Sequence, residues 1–594
     1  MKDLITYING YKKEALLAPS FKMAEALMDL ITPLIVARII NIGIASQNKS
    51  FIIQNIIYMI LLSAVGLAFS ITAQYFAAKA SVGFSTKLRQ ACFDHILGLS
   101  YSGLDQIGSD TLITRLTSDI NQVQTGLNLG LRLLLRSPFI VFGSVIMAFF
   151  IDVKCALVFA VSVPLLGLVT YGIMRISIPL FKRVQSKLDR ITSLTRENLT
   201  GVRVIRAFRR EAEETASFDS SINDLTGFNL FVGRISALLN PLTFCMINLA
   251  TIFLIQSGAI QVNLGSLGQG DVVALYNYMA QMIVELIKLS SLIISLNRAI
   301  ACGNRVASVF DLQNELTYPE ENNSKKVPSC VKEKGEPAAS ADSVCFDHVS
   351  FLYPGSSEEA LSDISFSAKK GETIGIIGGT GCGKSTLINL LPRFYDVSKG
   401  SVRINDKDLR DCSKETLAAL IGIVPQKAAL FAGSVRDNLK LGNEKADDTL
   451  LWSCLKTAQA EDFIQSKEGG LDYQLEQNAR NLSGGQKQRL TIARALAKNP
   501  KILILDDSSS ALDYATDHAL RTALKEENQD RITFIVSQRA AGIMDCDQIL
   551  VMDDGRIAEA GKHDELLQKG GLYCEIYHSQ FPEASEKEEK GERA

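Results

Sequence analysis

The first half of the chain is dominated by long apolar runs that contain no charge. No Asp, Glu, Lys or Arg occurs from Ser50 to Ala78 or from Ile235 to Gly270. Uncharged runs longer than the roughly 20 residues that cross a bilayer are typical of membrane helices. We predict six such helices, three clear and three interrupted by ionisable residues: 51–78, 155–174 and 235–262, and about 14–45, 122–151 and 271–300.

The distribution of basic residues predicts the orientation of these helices. The stretch from Lys182 to Arg210 contains nine Lys or Arg against two acids, whereas the three short loops on the opposite side contain only Lys49 and Lys154 as basic residues. Cytoplasmic loops carry the excess of basic residues in membrane proteins. We therefore expect a multi-pass protein of the cell membrane with the N-terminus, the long connections and everything after residue 300 in the cytoplasm.

Charged residues inside the weaker spans admit two interpretations. Glu25 and Asp29 lie four residues apart and share a helix face, while Arg136 and Glu285 lie in two other spans. Such residues either pair with one another inside a helix bundle or line a cavity, where they can bind a polar or charged group of a substrate. The sequence leaves both interpretations open.

The second half has the strand-like runs and glycine punctuation of a soluble α/β domain. The predicted fold is therefore a membrane α-helical bundle fused to a cytosolic α/β domain. The formal net charge of −2 does not indicate nucleic-acid binding, and the eleven cysteines include no CxxC pair. These features exclude a wholly soluble protein, a secreted disulfide scaffold and a disordered chain. The predicted parts are a membrane domain 1–316, a linker 317–341, the α/β domain 342–578 and a charged tail 579–594.

A phosphate-binding motif follows a β-rich run at 372–378. The residues from Gly378 to Ser385 read GGTGCGKS and match GxxxxGK[ST]. In such a loop the backbone N–H groups face phosphate oxygens, the lysine reaches the β- and γ-phosphates, and the serine hydroxyl binds Mg²⁺. We predict that ATP and Mg²⁺ bind at this loop. Its residues are Gly378, Gly379, Thr380, Gly381, Cys382, Gly383, Lys384, Ser385 and Thr386.

A second strand supplies the carboxylate that this chemistry needs. The run 501–505 reads KILIL and ends in Asp506 and Asp507. A carboxylate at the end of a strand beside the phosphate loop is where a second Mg²⁺ ligand belongs. We assign that role to Asp506.

Between these two motifs lies LSGGQ, which resembles the signature of ATP-binding-cassette (ABC) proteins. The signature residues after Leu482 are Ser483, Gly484, Gly485 and Gln486. The resemblance implies that Tyr353 stacks on adenine, that Gln426 is the Q-loop residue and an Mg²⁺ ligand, and that Asp513 belongs to the D-loop. Six helices before one cassette resemble the exporter class, and this implies short coupling helices near 101–107 and 201–210. The resemblance covers nearly the whole chain.

The ABC architecture implies a second half. The signature of one cassette meets ATP on the phosphate loop of the other, so two cassettes sandwich two ATP molecules. One chain supplies one cassette, and we therefore expect a partner that is a second half-transporter, identical or different.

Two departures from the family pattern affect the site that this chain's own phosphate loop builds. Active members have Glu where this chain has Asp507, which is one methylene shorter; a misplacement of that size can cost about 10²-fold in rate. The position of the switch histidine holds Gln538, and no histidine occurs between His518 and His563. The signature that this chain offers to a partner is intact.

We therefore expect one half of a heterodimeric exporter that moves hydrophobic or amphipathic compounds out of the cell by alternating access. Its own site would bind ATP and hydrolyse it slowly, and its signature would complete the partner's active site. A slow homodimer, with Asp507 as base, and a regulatory or ATP-gated channel subunit are the alternatives.

Overall fold

A computed structural model describes residues 3–312, 314, 316–319, 342–527 and 530–581. The chain forms two compact units, one of Met1–Leu97 with Ser109–Asp311 and one of Gly98–Gly108 with Leu312–Ala594. Most of the predicted linker and of the predicted charged tail lies outside the described residues. The predicted domain limits at 316 and 342 therefore stay predictions.

Long helices make up the first unit, and six of them are long and apolar enough to cross a membrane. The prediction of six membrane helices followed by an α/β domain is confirmed. In chain order the helices before residue 312 are α1 (Lys12–Ile44), α2 (Lys49–Gly98), α3 (Tyr101–Ile107), α4 (Ser109–Ile151), α5 (Val153–Thr200), α6 (Val202–Ala207), α7 (Glu211–Asn263) and α8 (Gln269–Phe310).

The membrane helices extend far beyond their apolar segments. The 50 residues of α2 span about 75 Å at 1.5 Å per residue, more than twice the ~30 Å of a bilayer's hydrocarbon core. At the polar end of α4, a π-helical turn at Arg115–Asp119 places Asp119 against Arg305 of α8, with N–O distances of 2.5 and 2.9 Å. An ion pair thus joins the polar ends of α4 and α8, which lie outside the apolar segments of these helices.

The short helix α3 groups with the second unit and not with the helices that flank it in sequence. Side-chain packing accounts for this grouping, because the ring of Tyr101 stacks on Phe394 with 4.2 Å between centroids. The predicted membrane domain 1–316, which includes 101–107, stays a prediction. The other predicted coupling segment, 201–210, contains α6, and all residues of that helix are at least partly exposed.

Two larger sheets build the second unit. Its strands are β1 (Ser343–Phe351), β2 (Leu361–Lys369), β3 (Thr373–Gly378), β4 (Lys399–Ile404), β5 (Lys407–Asp408), β6 (Ile421–Val424), β7 (Gly433–Ser434), β8 (Gln474–Leu475), β9 (Ile502–Asp506), β10 (Ile532–Val536), β11 (Gln548–Asp553) and β12 (Arg556–Gly561). An antiparallel sheet has the order β2-β1-β4-β5, and a six-stranded sheet has the order β12-β11-β3-β10-β9-β6. β7 and β8 form a small third sheet.

The described part of the second unit also contains helices. They are α9 (Lys384–Leu390), α10 (Lys414–Leu420), α11 (Val435–Lys440), α12 (Asp448–Thr457), α13 (Glu461–Gln465), α14 (Gly484–Ala497), α15 (Tyr514–Glu526), α16 (His563–Lys569) and α17 (Leu572–Gln580). The central strands β3, β10 and β9 are parallel and buried on both faces, and for this reason they read as continuous apolar runs. Ile374, Ile376 and Ile504 are fully buried in this core.

The parallel arrangement determines where the candidate site lies. β3, β9 and β10 all end at the same edge of the sheet. The phosphate loop follows β3, Asp506 and Asp507 end or follow β9, and Gln538 follows β10. The topology therefore brings together residues that are up to 160 positions apart in sequence (378 to 538).

Candidate nucleotide-binding site

The phosphate loop has a backbone conformation that requires glycine. Gly378, Gly381 and Gly383 have φ angles of +155°, +87° and +96°. A Cβ atom on Gly383 would lie 2.8 Å from the carbonyl oxygen of Ala360, too close for any real side chain. The loop therefore curls back on itself between the end of β3 and the first residue of α9.

Lys384 is a buried cation at the start of α9, with 7% of its surface exposed. Its Nζ donates to the carbonyl oxygens of Gly378, at 3.0 Å, and Gly379, at 2.5 Å. Within the described residues its ammonium group forms no ion pair. A buried charge held only by neutral groups is costly, so an anion such as a phosphate group would stabilise it.

Ser385 and Asp506 provide oxygen ligands side by side. The Ser385 hydroxyl donates to Oδ1 of Asp506 at 3.1 Å, and burial raises the pKa of the Asp506 carboxyl above its ordinary value. A hydroxyl next to a buried carboxylate is a donor set that suits Mg²⁺, which prefers oxygen ligands and would offset the cost of the buried negative charge. The residues present therefore fit this ion.

Gln426 and Asp507 are brought together at the same edge of the sheet. Nε2 of Gln426 lies 3.3 Å from Oδ2 of Asp507. The backbone N–H of Asp507 donates to the carbonyl oxygen of Val536 at 3.0 Å, and its φ of +45° is left-handed. Asp is one of the few residue types that adopt this conformation readily. The hydrogen bond shown for Gln426 goes to Asp507, so its predicted role as an Mg²⁺ ligand stays a prediction.

Gln538 follows β10 and its side chain is exposed. Its backbone carbonyl oxygen accepts a hydrogen bond from Nε2 of Gln580 at 2.8 Å. The N–H of Ala540 donates to Oε1 of the same Gln580, also at 2.8 Å. Sequence reasoning missed Gln580, because nothing in the polar C-terminal helix marks one glutamine among its neighbours.

Tyr353, the predicted adenine-stacking residue, is tied to the phosphate loop. Its hydroxyl lies 3.0 Å from Oγ1 of Thr386. Its ring packs edge-on against Phe351 and Tyr395, at 4.8 and 5.4 Å between centroids. Sequence reasoning also missed Tyr395; its only signal was an aromatic pair just after α9.

The signature segment begins α14 with a complete helix cap. The Ser483 side chain accepts from the N–H of Gln486 at 3.3 Å, and the Gln486 side chain accepts from the N–H of Ser483 at 3.0 Å. Ser483 and Gly484 are exposed, and the first N–H groups of a helix attract anions. Asp513 caps α15 in the same way, through Thr516 at 3.2 Å.

The signature does not contact the phosphate loop of its own chain. Among the described residues, no hydrogen bond joins Ser483–Gln486 to Gly378–Thr386. The hydrogen bonds shown therefore do not join these two segments to each other.

Charged residues of three membrane helices meet in a network of ion pairs. Arg136 of α4 donates to Glu285 of α8 at 2.6 Å and to Asp29 of α1 at 2.9 Å. Each of the three lies 15 or 16 residues from the loop end of its helix, which corresponds to about 22–24 Å at 1.5 Å per residue. They therefore meet at one common depth.

Four further residues complete the network. Lys22 donates to Glu25 at 2.5 Å, Lys288 donates to Glu285 at 2.9 Å, and Ser137 donates to the other oxygen of Glu285 at 2.7 Å. With Asp29 and Arg136 the network has three acids and three bases. These charges were predicted either to pair with one another or to line a cavity. The contacts show that they form ion pairs inside the bundle.

Comparison with known proteins covers nearly the whole chain. Residues 16–286 match the family model of the ABC transporter transmembrane region, and residues 361–510 match that of the ABC transporter. The chain is 35% identical to the uncharacterized ABC transporter ATP-binding protein YfiB of Bacillus subtilis, over 98% of this chain and 99% of that protein. It is 28% identical to the ATP-dependent lipid A-core flippase of Yersinia pestis over the same shares.

The fold also matches a solved structure. A bacterial Atm1-family ABC exporter with ATP bound superimposes with a TM-score of 0.75 and 23% identity, over 96% of this chain and 98% of that one. The sequence motifs, the six membrane helices and these similarities together show that the chain belongs to the ABC transporters, as an exporter with a transmembrane domain fused to a cytosolic nucleotide-binding domain.

Proposed function

We propose that this protein is one half of a heterodimeric ATP-driven exporter, and that its own nucleotide site binds ATP but hydrolyses it slowly. The observation that carries the proposal is an asymmetry within one cassette. The groups that hold nucleotide are in place, whereas the two positions that activate water hold Asp507 and Gln538.

Binding is supported by three side chains. Lys384 is a buried cation whose hydrogen-bond partners among the described residues are neutral, and the phosphates of ATP would give it a charged partner. Ser385 and Asp506, 3.1 Å apart, would hold Mg²⁺, which when bound neutralises the charge on the phosphates. Tyr353 presents its ring beside the loop for the base. We expect ATP to bind firmly at this site.

Slow hydrolysis follows from the geometry of the substituted positions. Asp507 is shorter by one methylene than Glu, and the bond shown for its carboxylate goes to Gln426. Gln538 is neutral and cannot carry the charge of an imidazolium beside a γ-phosphate. Its backbone is also held by Gln580. Each effect lowers the ability of this site to orient and deprotonate water.

The partner is inferred from the signature. Ser483 and Gly484 lie exposed at the start of a 14-residue helix, ready to bind the phosphates of a nucleotide held by another cassette. A different chain with Glu and His at the two positions would form a competent site with this signature. ATP binding would close the pair of cassettes, and hydrolysis at the partner's site would reset them.

The cargo is proposed to be hydrophobic or amphipathic. An apolar groove of about 600 Å³ lies between α5 and α7. Its walls include Leu165, Phe253 and Ile260, with Gln256 and Ser257 as polar groups. Such a groove suits a compound with a large apolar part and few polar groups. A similar protein is named a lipid A-core flippase, which agrees with cargo of this type.

The test compares the chain alone with the chain co-purified with its partner half, both in lipid nanodiscs. We expect the chain alone to bind a fluorescent ATP analogue with Mg²⁺ and to turn over ATP very slowly. The pair should be active, and the activity should disappear when Ser483→Ala and Gly484→Asp are introduced into this chain. Rapid ATP turnover by the chain alone would support the homodimer instead. In sealed vesicles, a dye that only equilibrates, without accumulating, would support the channel alternative.

A further inference from the structure

The helix α3 is held by two neighbouring aromatic residues of the nucleotide-binding domain. The ring of Tyr101 stacks on Phe394 with 4.2 Å between centroids. The hydroxyl of Tyr395 donates to Oδ2 of Asp105 at 2.7 Å. Both contacts lie within the same compact unit. One ring contact and one charge-assisted hydrogen bond therefore position this seven-residue helix.

The other side of Tyr395 faces the nucleotide site. Its ring lies edge-on to Tyr353, with 5.4 Å between centroids and an angle of 81° between planes. Tyr353 is bonded in turn to Thr386 at the start of α9. A single side chain, Tyr395, thus contacts both the predicted adenine-stacking ring and the helix α3.

Bonds of neighbouring residues fix the backbone that carries Tyr395. A displacement of the Tyr353 ring is therefore transmitted through the Tyr395 side chain. Arg393 is 3% exposed and binds Asp396 through two bonds of 2.7 and 3.0 Å. Its guanidinium also donates to the carbonyl oxygen of Thr317 at 3.1 Å and lies 4.6 Å from the centroid of the Tyr318 ring. With the backbone held on both sides of residue 395, a shift of the Tyr353 ring must be taken up by the Tyr395 side chain.

The hydroxyl of Tyr395 keeps its proton at any physiological pH. Burial, with the nearby Asp105 carboxylate, raises the pKa of Tyr395 above its ordinary value. The Tyr395 hydroxyl is therefore the donor in its bond to Asp105.

We propose that Tyr395 is a positioning residue that reports the presence of the nucleobase at this site to the helix α3. The inference rests on the proposed function, in which Tyr353 stacks on adenine and the site stays occupied. A base on Tyr353 fixes that ring, the fixed ring restricts Tyr395, and the restricted hydroxyl holds Asp105. A site that rarely hydrolyses ATP then still acts on the membrane domain, through occupancy alone.

The contacts from Tyr353 through Tyr395 to Asp105 would respond to a different part of the nucleotide than Gln426 would. Gln426 lies beside Asp507, the neighbour in sequence of Asp506, and would respond to phosphates and metal. The Tyr353 ring would meet the base, while its hydroxyl is bonded to Thr386 of the phosphate loop, so the effects of base and phosphates on the Tyr353–Tyr395–Asp105 route must be tested apart. A ligand with the phosphates but without a base separates the two routes.

The experiment measures amide hydrogen exchange at 101–107 in the full chain in nanodiscs, with ATP and Mg²⁺ or with inorganic tripolyphosphate and Mg²⁺. We expect ATP to slow exchange there about fivefold, the factor that one hydrogen bond supplies, and tripolyphosphate to have no such effect. Tyr395→Phe, which keeps the ring and loses the bond to Asp105, should abolish the effect of ATP. Tyr473→Phe, which removes a hydroxyl bonded to Asn481 and not to Asp105, should respond like the wild type.

The outcomes separate failure of the relay from failure of the proposed function. Equal protection by ATP and tripolyphosphate, or a normal ATP response in Tyr395→Phe, would overturn the relay. ATP affinity, measured with a fluorescent analogue, should be unchanged in Tyr395→Phe. Failure of the wild type to bind the analogue would instead overturn the proposed nucleotide site. Asp105→Ala should match Tyr395→Phe, and the double variant should show no further loss.

Discussion

Gln580 holds the backbone on both sides of Arg539, immediately after the Gln538 side chain. Its amide donates to the carbonyl oxygen of Gln538 and accepts from the N–H of Ala540, both at 2.8 Å. The last residue of α17 therefore fastens the segment that follows β10. This segment is thereby tied to a helix at the C-terminal end of the described chain.

The first prediction concerns this attachment. Gln580→Leu removes both hydrogen bonds, each worth about 1 kcal/mol at most in an exposed position, and should speed amide exchange at Ala540 by about five- to tenfold. Gln580→Glu keeps the acceptor for Ala540 and loses the donor to Gln538, so its effect should be smaller. Ser579→Ala, next to it and bonded only within its own helix, is the control. Unchanged exchange in Gln580→Leu would show that the two bonds do not hold the segment.

The second prediction concerns the two substituted catalytic positions. Asp507→Glu combined with Gln538→His should raise the ATPase rate of the purified chain in nanodiscs by at least about 10²-fold, because the longer carboxylate reaches the water position. Each single change should give a smaller gain. Asp507→Asn with Gln538→His has no base and is the matched control. A double variant as slow as the wild type would show that other residues limit this site.

The backbone at Asp507 gives a third, independent prediction. Its φ is +45°, and Asp tolerates the left-handed region better than Glu does. Asp507→Glu should therefore lower the free energy of unfolding by about 1 kcal/mol, seen as a lower melting temperature without nucleotide. Asp507→Asn should melt like the wild type. A gain in activity would thus come with a loss of stability, and equal melting of all three proteins would contradict the strain argument.

Cys382 offers a chemical test of the phosphate loop. Its Sγ lies 3.6 Å from Nζ of Lys384 and its side chain is buried. A maleimide should modify it slowly and block binding of the ATP analogue, and ATP should protect it. Cys382→Ser should bind the analogue and resist the reagent. Modification that is unaffected by saturating ATP would place nucleotide away from this loop.

Two other thiols serve as internal references in that experiment. Burial raises the pKa of Cys454 to about 11 and that of Cys546 to about 12. Because only the thiolate reacts, a raised pKa leaves less of the reactive form at pH 8, about one part in 10³ and one part in 10⁴. Peptide mapping should therefore show both as unmodified in the folded protein. Their reaction should appear only after denaturation.

The last prediction concerns the ion pairs of the membrane domain. Arg136→Leu removes the cation that pairs with Asp29 and with the buried Glu285. Removing one partner of a buried ion pair lowers the free energy of unfolding by about 3–5 kcal/mol. We expect a clear fall in the melting temperature of the detergent-solubilised protein and in its folded yield. Arg132→Leu is the matched control, since Arg132 lies one helical turn away and forms no ion pair among the described residues. A variant Arg136→Leu as stable as Arg132→Leu would mean that the network contributes little.

The sequence predicted the features that depend on local pattern. Uncharged apolar runs predicted the six membrane helices, and the glycine loop after a strand predicted where Lys384 and Ser385 lie. Contacts between distant residues could not be predicted, because nothing local encodes them. Arg136 and Glu285 are 149 positions apart, and the sequence could say only that each needs a partner. Tyr395 and Gln580 belong to ordinary-looking segments, and only the packing shows what they touch.

The ion-pair network also limits how the membrane domain can move. Sliding one of α1, α4 and α8 past another by a single turn, 5.4 Å, would separate Arg136 from Asp29 or Glu285. Loss of these bonds, which measure 2.9 and 2.6 Å, would leave unpaired charges in an apolar layer. We therefore expect α1, α4 and α8 to move together as one body.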